Sequence, residues 1–122
     1  MLRGRRLAIV LGLALVSVAA RPPRVSVVEA SIADTVRALR ARRVTSRELV
    51  QQSLTRIALY EDRLNAIITV NPRALDEADA RDRERAAGRV HGPLHGIPIA
   101  VKDNIQTRDL PTTGGSRAVA TL

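Results

Sequence analysis

The chain has 122 residues, enough for one small domain, and a formal net charge of +8 at neutral pH. It contains no cysteine, which excludes a disulfide framework and a thiolate metal site. Tyr60 is its one Phe, Tyr or Trp residue, so Leu, Ile, Val and Ala must build the core. Such a core is thin for an independent domain, and the composition therefore favours a portion of a larger fold.

Residues 1–20 have the pattern of a secretory signal peptide. Three arginines at positions 3, 5 and 6 precede an apolar stretch over residues 7–16, and Val18-Ala19-Ala20 offers a cleavage site. Because this stretch is shorter than the roughly 20 residues that span a bilayer, we expect a cleaved signal peptide rather than an anchor, and no stable membrane span after cleavage. The sequence predicts export to the periplasm or the extracellular space, with residues 21–30 as a proline-marked linker.

The positive charge does not indicate a nucleic-acid-binding protein. Three arginines belong to the signal peptide, which leaves 17 basic and 12 acidic residues and a charge of about +5. Apart from Tyr60 the chain lacks aromatic side chains for base stacking, and from residue 73 onward most of its arginines are interleaved with acids, as on a solvated helix face. We expect no nucleic-acid partner, and we expect solvent around the acids of this region, which are Asp76, Glu77, Asp79, Asp82 and Glu84.

Two helices are predicted in the first half of the chain. Ser31 can cap a helix from Ile32 to about Arg42, and Thr45 and Glu48 have the spacing of a capping box for a second helix. Apolar residues recur at helical spacing in both segments: Ile32, Val36 and Leu39 in the first, and Val50, Leu54, Ile57 and Ala58 in the second.

A strand and a third helix are predicted next. Residues 66–70 are rich in β-branched side chains and indicate a strand. Asn71 and Pro72 then supply an N-cap and a first-turn proline for a helix that Gly88 ends. Its apolar side is narrow, essentially Leu75 and Ala78, so this helix is expected on the outside of the structure.

The segment from residue 92 to residue 116 carries the chemistry of the chain. Residues 97–101 are short, apolar and rich in β-branched side chains, which predicts a strand buried on both faces. Lys102, the only lysine in the sequence, follows this strand directly, with Asp103 and Asn104 after it. Burial would lower the pKa of the amine and an ionised Asp103 would raise it. The alternative is a lysine that ends a strand and points into water.

The same segment resembles the lysine region of the amidase signature family. The motif GPLHGIPIAVKDNI followed by LPTTGGS carries the resemblance, which extends back through residues 44–50 and 64–66 and covers residues 31–122. Within the family, the sequence is most similar to secreted peptide-amidase-like members. The resemblance implies an α/β fold with helices packed on a mixed central sheet, of which this chain is the truncated N-terminal portion with an incomplete sheet.

The resemblance also implies a mechanism. In this family a Ser–cis-Ser–Lys triad hydrolyses amides, and by motif Lys102 would be the base that accepts a proton through the middle serine. The family's two serines lie in a Gly/Ser-rich loop well downstream of the lysine, and this sequence lacks that loop. Ser116 is expected to be a loop residue near the site rather than the nucleophile.

Other residues near Lys102 receive supporting roles from the resemblance. Asp103 and Asn104 are expected to shape the turn and orient the lysine, and the residues expected to line the substrate pocket are Thr112, Thr113, Gly114 and Ser116. The expected ligand is a small-molecule or peptide amide, with no cofactor and no metal. His91 and His95 lie four residues apart, but Gly92 and Pro93 oppose a helix there and no acid stands at ligand spacing, so they are expected to be ordinary loop residues.

Three functions remain open from the sequence. The chain is an exported amide hydrolase that needs further residues for activity, or a protein like the A subunits of glutamyl-tRNA amidotransferase, or the non-functional product of a truncated gene. The predicted signal peptide opposes the second, because charged tRNA is cytoplasmic. Since the catalytic serines are absent, we expect the chain alone to be inactive.

Overall fold

The computed structural model describes residues 25–116 and 118–119. Within these residues the chain forms three α-helices, α1 (Ile32–Arg40), α2 (Ser46–Leu64) and α3 (Ala74–Ala86), and no β-strand. Helices α2 and α3 pack against each other. The predicted signal peptide and the start of the predicted linker lie outside the described residues.

Helix α1 begins where the sequence predicts. The Ser31 hydroxyl oxygen accepts a hydrogen bond from the Asp34 N–H at 3.1 Å, which confirms Ser31 as the N-cap. The same hydroxyl donates to the Asp34 carboxylate at 2.6 Å. This bond, followed by the charge of Arg37, holds the pKa of Asp34 below its ordinary value.

Helix α1 ends at Arg40, slightly earlier than the predicted Arg42. Arg42 adopts a left-handed conformation with φ of 54°. The N–H groups of Arg42 and Arg43 turn back to the carbonyls of Leu39 and Ala38. This pair of bonds is the Schellman arrangement, which closes a helix by satisfying its last carbonyl groups.

Helix α2 is capped twice. The predicted capping box is confirmed, because the Thr45 hydroxyl accepts from the Glu48 N–H at 3.1 Å and the Glu48 carboxylate accepts from the Thr45 N–H at 2.8 Å. Asp82 of α3 adds a second cap, accepting from the N–H groups of Ser46 at 2.7 Å and Arg47 at 3.0 Å. The expectation that Asp82 is simply solvated is wrong, because the free N–H groups at a helix start attract a carboxylate.

Helix α3 begins two residues later than predicted and ends as predicted. Asn71 does not cap it directly; its side-chain oxygen accepts from the Arg73 N–H at 2.9 Å and forms a turn that includes Pro72. The helix therefore starts at Ala74. Gly88, with φ of 76°, follows the last turn and confirms the predicted stop.

The core is small and lies between α1 and the start of α2. Its fully buried apolar members are Ala38, Leu39, Val44 and Leu49, with Val25, Val27 and Ile97 packed against them. Of the apolar side predicted for α1, Leu39 is buried, but Ile32 is 61% exposed because Thr35 and Ala38 form the inner face instead. The residues predicted to face the core from α2 are half-buried or exposed: Val50, Leu54, Ile57 and Ala58.

The outer position predicted for α3 agrees with the structure. Ala78 is the one buried residue of α3, and Leu75 is half-buried. The residues just before α1, which belong to the predicted linker, are held to α2 by Gln52. Its side chain donates to the Val25 carbonyl at 3.0 Å and accepts from the Val27 N–H at 3.1 Å.

The two predicted strands do not form within the described residues. Residues 66–70 and 97–101 have no ladder partner there, and most of their apolar side chains are exposed, with Ile68 65% and Ile99 70% accessible, although Ile67 and Ile97 are half-buried. A strand needs a neighbouring strand to satisfy its backbone, whereas a helix does so internally. The prediction that residues 97–101 are buried on both faces is therefore wrong for the described chain.

None of the helices within residues 25–116 and 118–119 combines the length and the apolar character needed to cross a bilayer.

Candidate active-site loop

Lys102 lies at the start of a tight turn. The Ile105 N–H donates to the Lys102 carbonyl at 2.9 Å, which closes residues 102–105 into what we call the lysine turn. The Lys102 side chain is exposed, as is Asn104. The expected burial of the amine is therefore not provided by the described residues, because no strand covers the segment that leads into it.

Asp103 joins the lysine turn to residues 112–116, which we call the TTGGS loop. Its carboxylate accepts from the Thr113 N–H at 3.0 Å, from the Gly115 N–H at 2.9 Å, and through a short bond from the Thr113 hydroxyl. The Asp103 carbonyl accepts from the Gly114 N–H at 3.2 Å. These bonds connect residues about ten positions apart in sequence and hold the loop beside Lys102.

The hydrogen bonds to Asp103 favour its ionised form. The Thr113 hydroxyl contributes most, followed by the backbone N–H groups of Thr113 and Gly115, and together they hold the pKa of Asp103 below its ordinary value of 3.8. The neighbouring Lys102 charge acts in the same direction and is the smallest of these contributions. Asp103 is therefore an anionic anchor for the loop at neutral pH.

The structure thus brings the predicted site residues into one place. Lys102, Asp103, Thr113 and Gly114 are connected through the bonds described above, and the Ser116 N–H donates to the Thr113 carbonyl at 3.0 Å. Ser116 itself is exposed, and Thr112 and Thr113 are half-buried. Their predicted roles in binding substrate stay predictions.

An open groove runs beside the lysine turn. Its volume is about 1260 Å³, and it lies between the first three turns of α2, one side of α3, residues 66–71 and residues 91–111. Exposed apolar side chains dominate its walls, including Ile68, Ile99, Val101 and Ile105. A contiguous apolar surface of this kind marks a place where another structural element or a ligand packs.

The loop that leads into the lysine segment is held against the helices. We call residues 91–96 the docking loop. Gly96, with φ of 81°, lies so close to α2 that an added Cβ would stand 2.1 Å from the Ser46 hydroxyl oxygen. Arg85 of α3 donates to the His95 carbonyl at 2.5 Å. These contacts explain why glycine is required at this point.

The two histidines differ from the sequence expectation in one respect. Both lie in a loop, as expected, but the His95 side chain is only 2% exposed, and Glu84 of α3 lies beside it and His91. Sequence spacing could not reveal this acid, because the end of α3 and the turn at Gly88 bring it back onto the docking loop. Asp82, Glu84 and Arg85 are the residues that sequence reasoning missed.

Known proteins match the part of the chain that contains the lysine turn and the TTGGS loop. The family model described as Amidase matches residues 48–121. Among curated proteins, the A subunit of glutamyl-tRNA(Gln) amidotransferase from Pelobacter propionicus is 52% identical over 80 residues, which are 65% of this chain and 16% of that protein. Mandelamide hydrolase of Pseudomonas putida is 43% identical over 93 residues, 75% of this chain and 18% of that protein.

Solved structures of peptide amidases resemble most of this chain. The native peptide amidase from Stenotrophomonas maltophilia superimposes with a TM-score of 0.73 at 45% identity, over 75% of this chain and 20% of that chain. A peptide amidase in complex with the competitive inhibitor chymostatin gives the same values. The chain spans only 14% to 20% of the length of these relatives and of the corresponding A subunit from Vitis vinifera. By its match over residues 48–121 and these similarities, the chain belongs to the amidase signature family.

Proposed function

We propose that this chain supplies the lysine-bearing part of an amide C–N bond hydrolase that uses a Ser–cis-Ser–Lys triad. Lys102 is the general base of that triad. The observation that carries the proposal is the hydrogen bonding of Asp103, which holds the TTGGS loop against the lysine turn within the segment that matches the family. A catalytic lysine needs such a fixed backbone, because proton transfer depends on the position of its nitrogen.

The chain does not hold the two serines that the triad requires. Its six serines stand at positions 17, 26, 31, 46, 53 and 116, and no two of them are adjacent. Ser46 is 1% exposed and lies at the start of α2, and Ser116 belongs to the TTGGS loop. We therefore propose that the nucleophilic serine and the relaying serine come from polypeptide outside this sequence.

The same missing polypeptide would also bury Lys102. Ile99 and Val101, which precede the lysine, are 70% and 46% exposed. Partner strands on either side of residues 97–101 would complete the mixed sheet that the family resemblance predicts, and helices packed on its faces would cover these side chains. The Lys102 amine at the end of this strand would then be shielded from bulk water.

The proposed substrate is a peptide amide or a small-molecule amide. The supporting relatives are mandelamide hydrolase and the peptide amidase that binds chymostatin. The proposed location is outside the cytoplasm, supported by the signal-like residues 1–20. No cofactor and no nucleic acid take part in this proposal.

The second candidate is the A subunit of a tRNA-dependent amidotransferase. It is favoured by the identities of 47% and 52% to proteins of that name. The two candidates differ in what they require: the hydrolase acts on an amide by itself, whereas the amidotransferase works with charged tRNA. The third possibility, a non-functional product, predicts no activity under either condition.

The test is an amide-hydrolysis assay on two polypeptides. The first is the 122-residue chain, and the second continues the open reading frame past codon 122 through a Gly/Ser-rich loop with adjacent serines. We expect the longer polypeptide to release ammonia from peptide amides without tRNA and the 122-residue chain to be inactive, because the nucleophile is missing. A stop codon or frameshift directly after codon 122, activity only with charged tRNA, or hydrolysis by the short chain would contradict the proposal.

A further inference from the structure

Three potential ligands converge where α3 meets the docking loop. Glu84 comes from α3, and His91 and His95 come from the loop. The Nε2 atoms of His91 and His95 lie 3.6 Å and 3.8 Å from the Glu84 Oε2 atom. The three ligand atoms all lie within 4.8 Å of one another, and we call these residues the histidine cluster.

These separations suit a single metal ion. Zinc binds imidazole nitrogen and carboxylate oxygen at roughly 2.0 to 2.2 Å, so two ligands of a tetrahedral site stand about 3.4 Å apart. The measured separations of 3.6 Å and 3.8 Å exceed that value by only a few tenths of an ångström. A small rotation of the His91 side chain, which is 61% exposed, would close the difference.

One oxygen of the Glu84 carboxylate is buried without a hydrogen bond. Its Oε2 atom is inaccessible to solvent and receives no hydrogen bond from any residue in the described part of the chain. Arg81 forms a salt bridge with this atom at 3.0 Å, in a geometry that makes no hydrogen bond. A buried carboxylate oxygen without a donor is costly, and a metal ion between it and the two imidazoles would add to the compensation that Arg81 gives.

Two contacts hold the His95 ring beside Glu84. Its Nε2–H donates to the Arg81 carbonyl at 3.1 Å, and its Nδ1 atom accepts a long 3.5 Å bond from the His91 N–H. Binding of a metal at Nε2 requires the ring proton to move to Nδ1, so both bonds are lost, and the bond to the Arg81 carbonyl is the larger cost. The ring must also turn slightly away from that carbonyl to make room for the ion.

We propose that Glu84, His91 and His95 form a binding site for a divalent transition-metal ion, which fastens the docking loop to α3. Two imidazoles and one carboxylate are typical ligands of Zn²⁺ and leave a fourth position for water. Imidazole suits Zn²⁺, Ni²⁺ and Cu²⁺ and does not suit Mg²⁺ or Ca²⁺. The proposal does not depend on the proposed amide hydrolysis, because no residue of the histidine cluster belongs to the predicted triad.

The composition of the chain excludes other imidazole or thiolate ligands for the metal ion. The sequence has two histidines and no cysteine, so imidazole-dependent binding by an untagged chain must come from His91 and His95. The experiment is a competition titration of the untagged 122-residue chain at low concentration with Zn²⁺ and a chromophoric chelator. We expect one Zn²⁺ per chain with a dissociation constant of about micromolar or tighter, and no binding of Mg²⁺.

Two substitutions and one control identify the ligands. His91→Ala and Glu84→Gln should each weaken Zn²⁺ binding about tenfold or more, because each removes one ligand. Glu77→Gln, which removes a carboxylate from the exposed side of α3, should leave the affinity unchanged. His91 is exposed, so its replacement leaves the helices intact, which the circular dichroism spectrum verifies.

Each alternative result would overturn the proposal. If the unsubstituted chain binds no Zn²⁺ at a Zn²⁺ concentration roughly 100-fold above the expected dissociation constant, the site does not exist. Equal affinity in the His91→Ala variant shows that Zn²⁺ binds elsewhere. If Glu84→Gln leaves the Zn²⁺ affinity unchanged while His91→Ala lowers it, Glu84 is not a ligand. The ion would then not link the docking loop to α3.

Discussion

Lys102 and Asp103 are neighbours in the lysine turn with different surroundings: the amine side chain is exposed, whereas the carboxylate is bonded to the TTGGS loop. Lys102 is conspicuous as the only lysine, and its motif directs attention to it, but its burial depends on surrounding structure and is absent from the described residues. The sequence predicts that Asp103 shapes the turn and orients Lys102, and these roles stay predictions. Its partners on the TTGGS loop emerged only from the structure.

The anchoring by Asp103 predicts a pH dependence. Because hydrogen bonds hold the pKa of Asp103 below its ordinary value of 3.8, the anchoring is fully present above pH 3.8 and is lost as the pH falls through the lower folded-state pKa. We expect the backbone amide resonances of Thr113 and Gly115 to shift together, with a common midpoint below pH 3.8, in NMR spectra recorded during acidification.

The Asp103→Asn variant is the control for this titration. It removes the ionisable group while keeping the size of the side chain, so the shared transition of Thr113 and Gly115 should disappear. A midpoint at or above pH 3.8, or the same transition in the variant, would show that Asp103 does not anchor the TTGGS loop.

The helices and the docking loop differ in how far the sequence determines them. Caps such as Ser31 and the Thr45–Glu48 box act on their own helix, so a short stretch of sequence suffices to predict them. The cap that Asp82 places on α2 and the position of Glu84 depend on the packing of α3, which sequence periodicity does not reveal. The two strands predicted at residues 66–70 and 97–101 also depend on distant parts of the chain, because a strand needs a partner strand that its own sequence does not provide.

Gly96 provides a test of the packing between the docking loop and α2. Gly96→Ala should lower the free energy of unfolding by about 2 to 4 kcal/mol, because it combines a strained left-handed φ with a Cβ placed against the Ser46 hydroxyl. The measurement is urea unfolding followed by circular dichroism.

Gly88→Ala is the matched control for the backbone contribution. Gly88 has a similar φ of 76°, but nothing lies within 4 Å of its added Cβ, so this substitution should cost only about 1 to 2 kcal/mol. Equal losses in the two variants would mean that the docking loop does not press on Ser46.

At the scale of the whole molecule, the described residues form three helices and an exposed apolar groove beside the lysine turn. Its small core holds α1 to α2, while the groove beside the lysine turn exposes Ile68, Ile99 and Val101. The similarity to peptide amidases covers 75% of this chain but 20% of the peptide amidase chain, which places the described fold as one portion of that larger architecture. The near absence of aromatic side chains agrees with the small size of the core.

The role of Lys102 is tested by comparing Lys102→Arg and Lys102→Ala in the polypeptide extended through the serine loop. The measured quantity is kcat/KM for hydrolysis of a peptide amide, with Arg40→Ala as a control at an exposed position outside the groove. Arginine keeps the positive charge but cannot act as a base, so both lysine substitutions should lower kcat/KM by about 100-fold or more, and the control should not. Retention of kcat/KM within a few-fold in the Lys102→Arg variant would contradict the assignment of Lys102 as the base.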